Sequence, residues 1–225
     1  MPEPTLTRYD VAHPRGLVLV LHGGQEQSID PVQLRQGSWL RMVPIARAIA
    51  AAGRPHDVSV WLLRNRLRGW NATPTHDPDA VQDARWALAT WRSEHPDRST
   101  ALVGHSMGGR TACAVADEAG VAGVTGLAPW LPQDEPIAAV AGRPLLVAHG
   151  SLDRWTSPRW SRDFVERARA AGSPAAWVGM GPVGHFMLRR VRRWNTVAID
   201  TSLGMLGVAP YAARLSARTD AEPMR

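Results

Sequence analysis

Residues 16–21 read Gly-Leu-Val-Leu-Val-Leu, an apolar run that ends in His22-Gly23-Gly24-Gln25. A strand with one face in water alternates apolar and polar side chains. An unbroken apolar run of this length reads instead as a strand buried on both faces. Such a strand needs cover above and below, which restricts the chain to a sheet packed between two layers of helices.

The rest of the chain supplies that cover in alternation. Strand-like runs are predicted at 57–65, 99–104, 121–129, 143–150 and 174–180. Helical patterns fall between them. Residues 38–53 are apolar at helical spacing and end at Gly53, with Pro44 expected to kink the helix or delay its start. Residues 79–95 form a helix with Asp79 and Gln82 as a capping box and Val81, Ala84, Trp86, Leu88 and Trp91 on the apolar side. Residues 107–120 form a helix stopping at Gly120, Ser157-Pro158 opens one that runs to Gly172, and 186–206 form the last. The reading is α/β: a three-layer, doubly wound, mainly parallel sheet of about six to seven strands. No repeat or linker interrupts it, so residues 1–225 are read as one domain with a polar tail that frays from about Pro210.

Several function classes drop out. The net charge is +6, but all 26 basic residues are arginine, a compositional bias beside abundant alanine and glycine. The basic positions are scattered except for Arg64, Arg66 and Arg68, read as a solvated loop or an anion contact, and Arg189, Arg190, Arg192 and Arg193, read as a solvated helix face. No nucleic-acid motif accompanies them, and no nucleic-acid partner is expected. No apolar run reaches the roughly 18 residues that span a bilayer. The first residues lack a secretory pattern, so the cytoplasm is the default. Cys113 is the only cysteine, which excludes an internal disulfide and a multi-cysteine metal site and reads as a small core residue. The histidines and carboxylates lack zinc spacing, and no cofactor or metal is expected.

One motif carries chemistry. Residues 101–110, Ala-Leu-Val-Gly-His-Ser-Met-Gly-Gly-Arg, run from a buried strand into a helix, with Gly104, Gly108 and Gly109 around Ser106. A tight strand-to-helix turn forces its central residue into strained backbone angles and lifts that side chain clear of the sheet. Small neighbours let the turn close. Gly-x-Ser-x-Gly in this setting is a nucleophile elbow.

With this elbow, the upstream His-Gly-Gly and the strand alternation, the chain resembles the α/β-hydrolase fold family from about Leu17 to Leu206. The resemblance implies the chain order nucleophile, acid, histidine. Asp153, in the loop after the 143–150 strand, fits the acid, with Asp134 and Glu135 as rivals after the preceding strand. His185, in the Gly-rich loop after the last strand, fits the base. His149 reads as strand-end packing, and His105 should point away from Ser106. The resemblance also implies an oxyanion hole from the backbone N–H of Met107 and of Gly24, with Gln25 as second choice, and makes His22 a support for that loop.

The connection between residues 129 and 144 is too short for a cap domain, so an open site is expected. Trp70, Trp130 and Trp155 follow strands and are expected to line its mouth, whereas Trp61, Trp86, Trp91 and Trp177 lie inside elements and read as core. The resemblance implies a serine esterase or thioesterase acting on a small-molecule ester or thioester. A hydrolase-like binding or sensor protein, or an acyltransferase with the same triad, are the alternatives.

Overall fold

The computed structural model describes residues 2–209. The tail expected from about Pro210 lies outside these residues. Seven strands form one sheet in the order β1-β3-β2-β4-β5-β6-β7. They are β1 (Thr5–Tyr9), β2 (Gly16–Leu21), β3 (Val58–Arg64), β4 (Ser99–His105), β5 (Val121–Leu127), β6 (Leu145–His149) and β7 (Ala175–Gly179). All pairings are parallel except that of β1 with β3. The helices are α1 (Gly37–Gly53), α2 (Asp79–Glu94), α3 (Met107–Ala114), α4 (Pro158–Ala170) and α5 (Val191–Met205).

Every residue of β2 is buried. Its side chains alternate between two cores: Leu17, Leu19 and Leu21 join Leu88, Trp91 and Phe164 on one face, while Val18 and Val20 join Trp39, Ile49 and Trp194 on the other. The continuous apolar run is thereby explained. Between β5 and β6 there is a short 3₁₀ turn (Ala138–Val140) and no cap, so the carboxyl ends of the central strands stay open.

Several boundaries differ from the sequence reading. Strand β1 was not expected: it is an edge strand whose residues are mostly exposed, and the hydrophobic signal used for the buried strands is absent there. Helix α1 runs unbroken through Pro44. Pro44 is exposed, so the ring and the carbonyl that it leaves unbonded one turn back lie on the solvent side. The capping box on α2 does not form. Pro78 is the N-cap residue, Asp79 accepts from Arg66 and Asn71, and Gln82 donates to Asp77 O. Trp86 is 41% exposed instead of core, and Trp177 is half-buried. Helix α3 stops at Ala114, short of Gly120. Helix α5 starts at Val191 because Met187 and Arg190 adopt left-handed backbone angles, φ 55° and 57°, which no continuous helix permits.

Candidate active site

The elbow forms where the sequence put it. Ser106 has φ 55° and ψ −121°, a region costly for a residue with a Cβ. Backbone hydrogen bonds hold it there: Ser106 N–H donates to Leu127 O at 3.2 Å, and Ser106 O accepts from Trp130 N–H at 3.0 Å as well as from Gly109 N–H and Arg110 N–H. The glycines are a steric requirement. A Cβ on Gly104 would stand 2.1 Å from Gly108 O, and one on Gly108 would stand 2.4 Å from Leu21 O. The turn closes only because backbone meets backbone.

The structure brings Ser106, His185 and Asp153 together. His185 Nε2 lies 3.0 Å from Ser106 Oγ, and His185 Nδ1 lies 2.8 Å from Asp153 Oδ2. A carboxylate only accepts, so Nδ1 carries the proton and donates to Asp153, which leaves Nε2 free to accept from the serine hydroxyl. Neither rival acid reaches the imidazole. Glu135 is buried against Arg110, Nη2 to Oε2 2.7 Å, and Asp134 is exposed.

Asp153 is held more tightly than its loop position alone would require. Oδ1 accepts from Trp155 N–H at 2.8 Å and Thr156 N–H at 2.9 Å, a side chain bonding its own following turn. Oδ2 accepts from the Thr156 hydroxyl at 3.0 Å and from His149 Nε2 at 3.1 Å, besides His185. Burial pushes this carboxyl up, but the hydrogen bonds from His149, His185 and Thr156 N–H outweigh it and leave it well below the ordinary carboxylate range. His149, read as strand-end packing, is thus a direct partner of the acid. Burial lowers its pKa and keeps it neutral. Its one proton then sits on Nε2 facing the carboxylate, and Ser161 Oγ, 3.0 Å from Nδ1, donates to the other nitrogen.

Two more histidines brace the site from below. His22 is buried, which lowers its pKa to about 4. Its Nδ1–H donates to Gly23 O at 2.6 Å, and its Nε2 accepts Asn65 N–H at 3.1 Å, so it ties the β2 loop to β3. His105 turns away from the serine and donates from Nε2 to His185 O at 3.0 Å, supporting the loop that carries the imidazole. Burial first, and the neighbouring His185 second, lower its pKa to about 3.

A cavity of about 500 Å³ opens over Ser106 and His185. Gly24, Gln25, Trp130, Trp155, Phe186 and Arg41 are among its walls. Trp130 and Trp155 thus line it. Trp70 does not: it is 5% exposed and packs edge-to-face behind Trp130, ring centroids 6.2 Å apart. The Arg110 guanidinium fills the gap between them, 4.3 Å from the Trp70 ring and 4.5 Å from the Trp130 ring. Arg64, Arg66 and Arg68 each have partners within the chain. Arg64 donates to Thr5 Oγ1 and Val32 O, Arg66 pairs with Asp79 and Asp83, and Arg68 pairs with Asp30. In the later basic run, Arg190 and Arg193 donate to Met180 O and Gly179 O at the end of β7. Cys113 is buried, as expected of a core residue, and burial pushes its thiol far above the usual range.

Thr156, Arg41 and Phe186 escaped the sequence reading. The Asp-x-x-Thr spacing was the available signal for Thr156. Arg41 lies inside a helix pattern and Phe186 inside the segment read as the start of the last helix, so nothing local marked either. Among the described residues, no helix is long and apolar enough to cross a membrane.

Residues 17–221 match the model of the Alpha/beta hydrolase family, and the chain belongs to that family. No curated protein matches it in sequence. Among solved structures, it is similar to an alpha-beta serine hydrolase homologue from Coxiella burnetii, with 17% identity, 88% of this chain and 90% of the other covered, and TM-score 0.64. It is also similar to a thermophilic esterase from the Planctomycetes species Thermogutta terrifontis: 19% identity, 93% and 90% covered, TM-score 0.69. The same esterase phosphorylated by paraoxon gives 17%, 92% and 90%, and 0.70. At these identities the likeness concerns the fold.

Proposed function

We propose that the protein is a serine hydrolase that cleaves a carboxylic ester or thioester through an acyl-serine intermediate. The observation that carries this reading is the unbroken line from Ser106 Oγ through the His185 ring to Asp153 Oδ2, at 3.0 and 2.8 Å. A serine hydroxyl is a weak nucleophile until a base takes its proton as it attacks. His185 Nε2 is within reach to do so, and ionised Asp153 stabilises the imidazolium that forms. Ser106 Oγ bonds the carbonyl carbon, whose oxygen becomes an oxyanion. When the intermediate collapses, the carbon–oxygen or carbon–sulfur bond breaks, and His185 returns its proton to the leaving group. Water then repeats the sequence on the acyl-serine and frees the acid.

The oxyanion requires preorganised N–H donors. Met107 N–H opens α3, where no carbonyl one helical turn back accepts it. Gln25 N–H is already donated to Arg68 O at 2.8 Å, whereas Gly24 N–H has no backbone acceptor among the described residues. Met107 and Gly24 are therefore the pair we assign. The aromatic walls, Trp130 and Trp155, suit an apolar acyl or alcohol portion of moderate size. The esterase and serine-hydrolase descriptions of the similar structures agree with the reaction type.

The reaction of that esterase with paraoxon suggests the test, an organophosphorus probe. Wild type should be labelled by a fluorophosphonate and should hydrolyse p-nitrophenyl butyrate. Ser106→Ala should fold, lose labelling, and lose at least 10³-fold in kcat, retaining only what oxyanion donors and binding supply. Equal hydrolysis by Ser106→Ala and wild type would remove the reading.

A further inference from the structure

The cavity over Ser106 exposes mostly apolar surface, and one of the polar side chains on its wall has no part in the Ser106, His185 and Asp153 line. Arg41, in the second turn of α1, is part of its wall and carries a fixed charge. Its surroundings desolvate it enough to lower its pKa, yet an arginine stays charged at any working pH. A cation drawn out of water normally finds a carboxylate. Arg110, the other arginine in contact with this cavity's aromatic walls, does so in Glu135. Arg41 takes part in no ion pair among the described residues.

What Arg41 does have is a mount. Nη1 donates to Phe186 O, and the guanidinium carbon sits 4.9 Å from the centroid of the Phe186 ring. Phe186 follows His185 directly and both line the cavity, so the cation is tied to the segment that carries the imidazole, with one donor committed and others of its planar fork left over. That fork matches a carboxylate in two-point contact, and holding it in place beforehand reduces the entropy lost on binding. The first turn of α1 strengthens the field. Gly37 and Ser38 line the same cavity, and that turn contains no acidic residue to offset the positive end of the helix. Among the described residues, Glu26 is the one carboxylate on the wall, and it is exposed, where water screens it.

We infer that Arg41 is a specificity-determining residue and that the substrate of this site is an ester or thioester bearing a carboxylate, which the Arg41 guanidinium binds. The inference deepens the serine-hydrolase reading and rests on it for the reaction, but the recognition step can be tested without turnover.

The carboxylate is placed first on the acyl part, as mono-p-nitrophenyl glutarate, and then on the alcohol part, as 4-carboxyphenyl butyrate. Each is compared with its neutral methyl ester. The ratio of kcat/KM, anionic over neutral, is measured for wild type and for Arg41→Gln and Arg41→Lys. Dividing the variant's ratio by that of wild type cancels the intrinsic reactivity of the esters and any general damage to the His185 loop. For at least one pair, the ratio should fall tenfold or more in Arg41→Gln and less in Arg41→Lys. In wild type it should also fall as salt rises from 20 to 500 mM, since added salt screens the pair. The salt series needs no variant, so a poorly folding Arg41→Gln does not block the test.

A ratio that does not change with the variant or with salt, for both pairs, would overturn the proposal and leave Arg41 as a strut between α1 and the Phe186 loop. Failure of the serine-hydrolase reading looks different: no labelling of Ser106 and no hydrolysis of any ester. In that event calorimetric titration of Ser106→Ala with mono-p-nitrophenyl glutarate still decides. Tenfold weaker binding in Ser106→Ala/Arg41→Gln supports the inference, and equal binding ends it.

Discussion

Asp153 and Asp83 are both buried, at 9% and 2% exposure, and both touch a cationic or potentially cationic side chain, yet their carboxyl groups move in opposite directions. Burial pushes Asp83 up to about 6, despite a hydrogen bond from Arg66 N–H at 2.9 Å and the Arg66 Nε contact at 3.1 Å, and the nearby Asp79 adds to the rise. Burial acts on Asp153 in the same sense and loses to the donors gathered around it. Burial alone does not decide the charge of a carboxyl group. Asp153 accepts from two backbone N–H groups, a hydroxyl and two imidazoles, with no second carboxylate among its partners. Asp83 anchors a closed cluster of Arg66, Asp79 and Gln82, a structural role that does not require full ionisation. An acid that must stay ionised beside a histidine cannot be built as Asp83 is.

The strongest way to break the comparison is to remove the charge and keep the shape. Asp153→Asn should lower kcat for p-nitrophenyl butyrate by about 10³–10⁴-fold with little change in KM, because an amide neither fixes the Nδ1–H tautomer nor stabilises imidazolium. A loss under tenfold would mean that the surrounding donors, not the carboxylate, orient His185.

A smaller effect isolates one donor. His149→Phe removes the Nε2 bond to Oδ2 and should reduce kcat about tenfold. His149→Gln, whose amide can still donate, should lose less. KM should move little in either, since His149 is not part of the cavity wall. Equal losses in the two variants would make His149 a packing residue after all.

The smallest effect concerns stability. The folded pKa of Asp83 lies above its ordinary 3.8, so its contribution is fully present below about pH 4 and is lost as pH rises through about 6. Asp153 is depressed, so its contribution is present above the ordinary carboxylate pKa and is lost as pH falls below it. Asp83→Asn should therefore flatten the fall in Tm between about pH 4 and 6. A change of about 1 kcal/mol corresponds to roughly 2–4 °C for a chain of this size. Parallel Tm curves for wild type and Asp83→Asn would show that Asp83 titrates alike in the folded and unfolded chain.

Much of this site was legible because its chemistry is written in short-range terms. Ser106 sits in a turn whose glycines are adjacent in the chain, and Asp153 and His185 follow strands whose apolar runs are continuous. The errors share a different cause. Trp70 follows a strand as Trp130 and Trp155 do, yet Arg110 and Trp130 cover it, and that contact joins segments far apart in sequence. Strand β1 exists because β3 presents an edge to pair with, and its own residues hold little apolar signal. The Arg64, Arg66 and Arg68 triplet looks free in sequence because its partners, Asp30, Asp79 and Asp83 among them, lie on other segments.

The layered α/β architecture, the elbow at Ser106 and the loops that hold its partners are readable in the pattern of consecutive residues. Buried strands and tight turns leave their mark on consecutive residues, where period and steric size can be read. Which donors gather on Asp153, that His149 and Thr156 serve it, which tryptophans face the cavity, and that Arg41 lines it with no ion pair among the described residues were settled only by tertiary contacts. Those outcomes depend on distances between side chains from different elements. A hydrogen bond or an ion pair depends on a few ångströms of approach, which no spacing along the chain encodes.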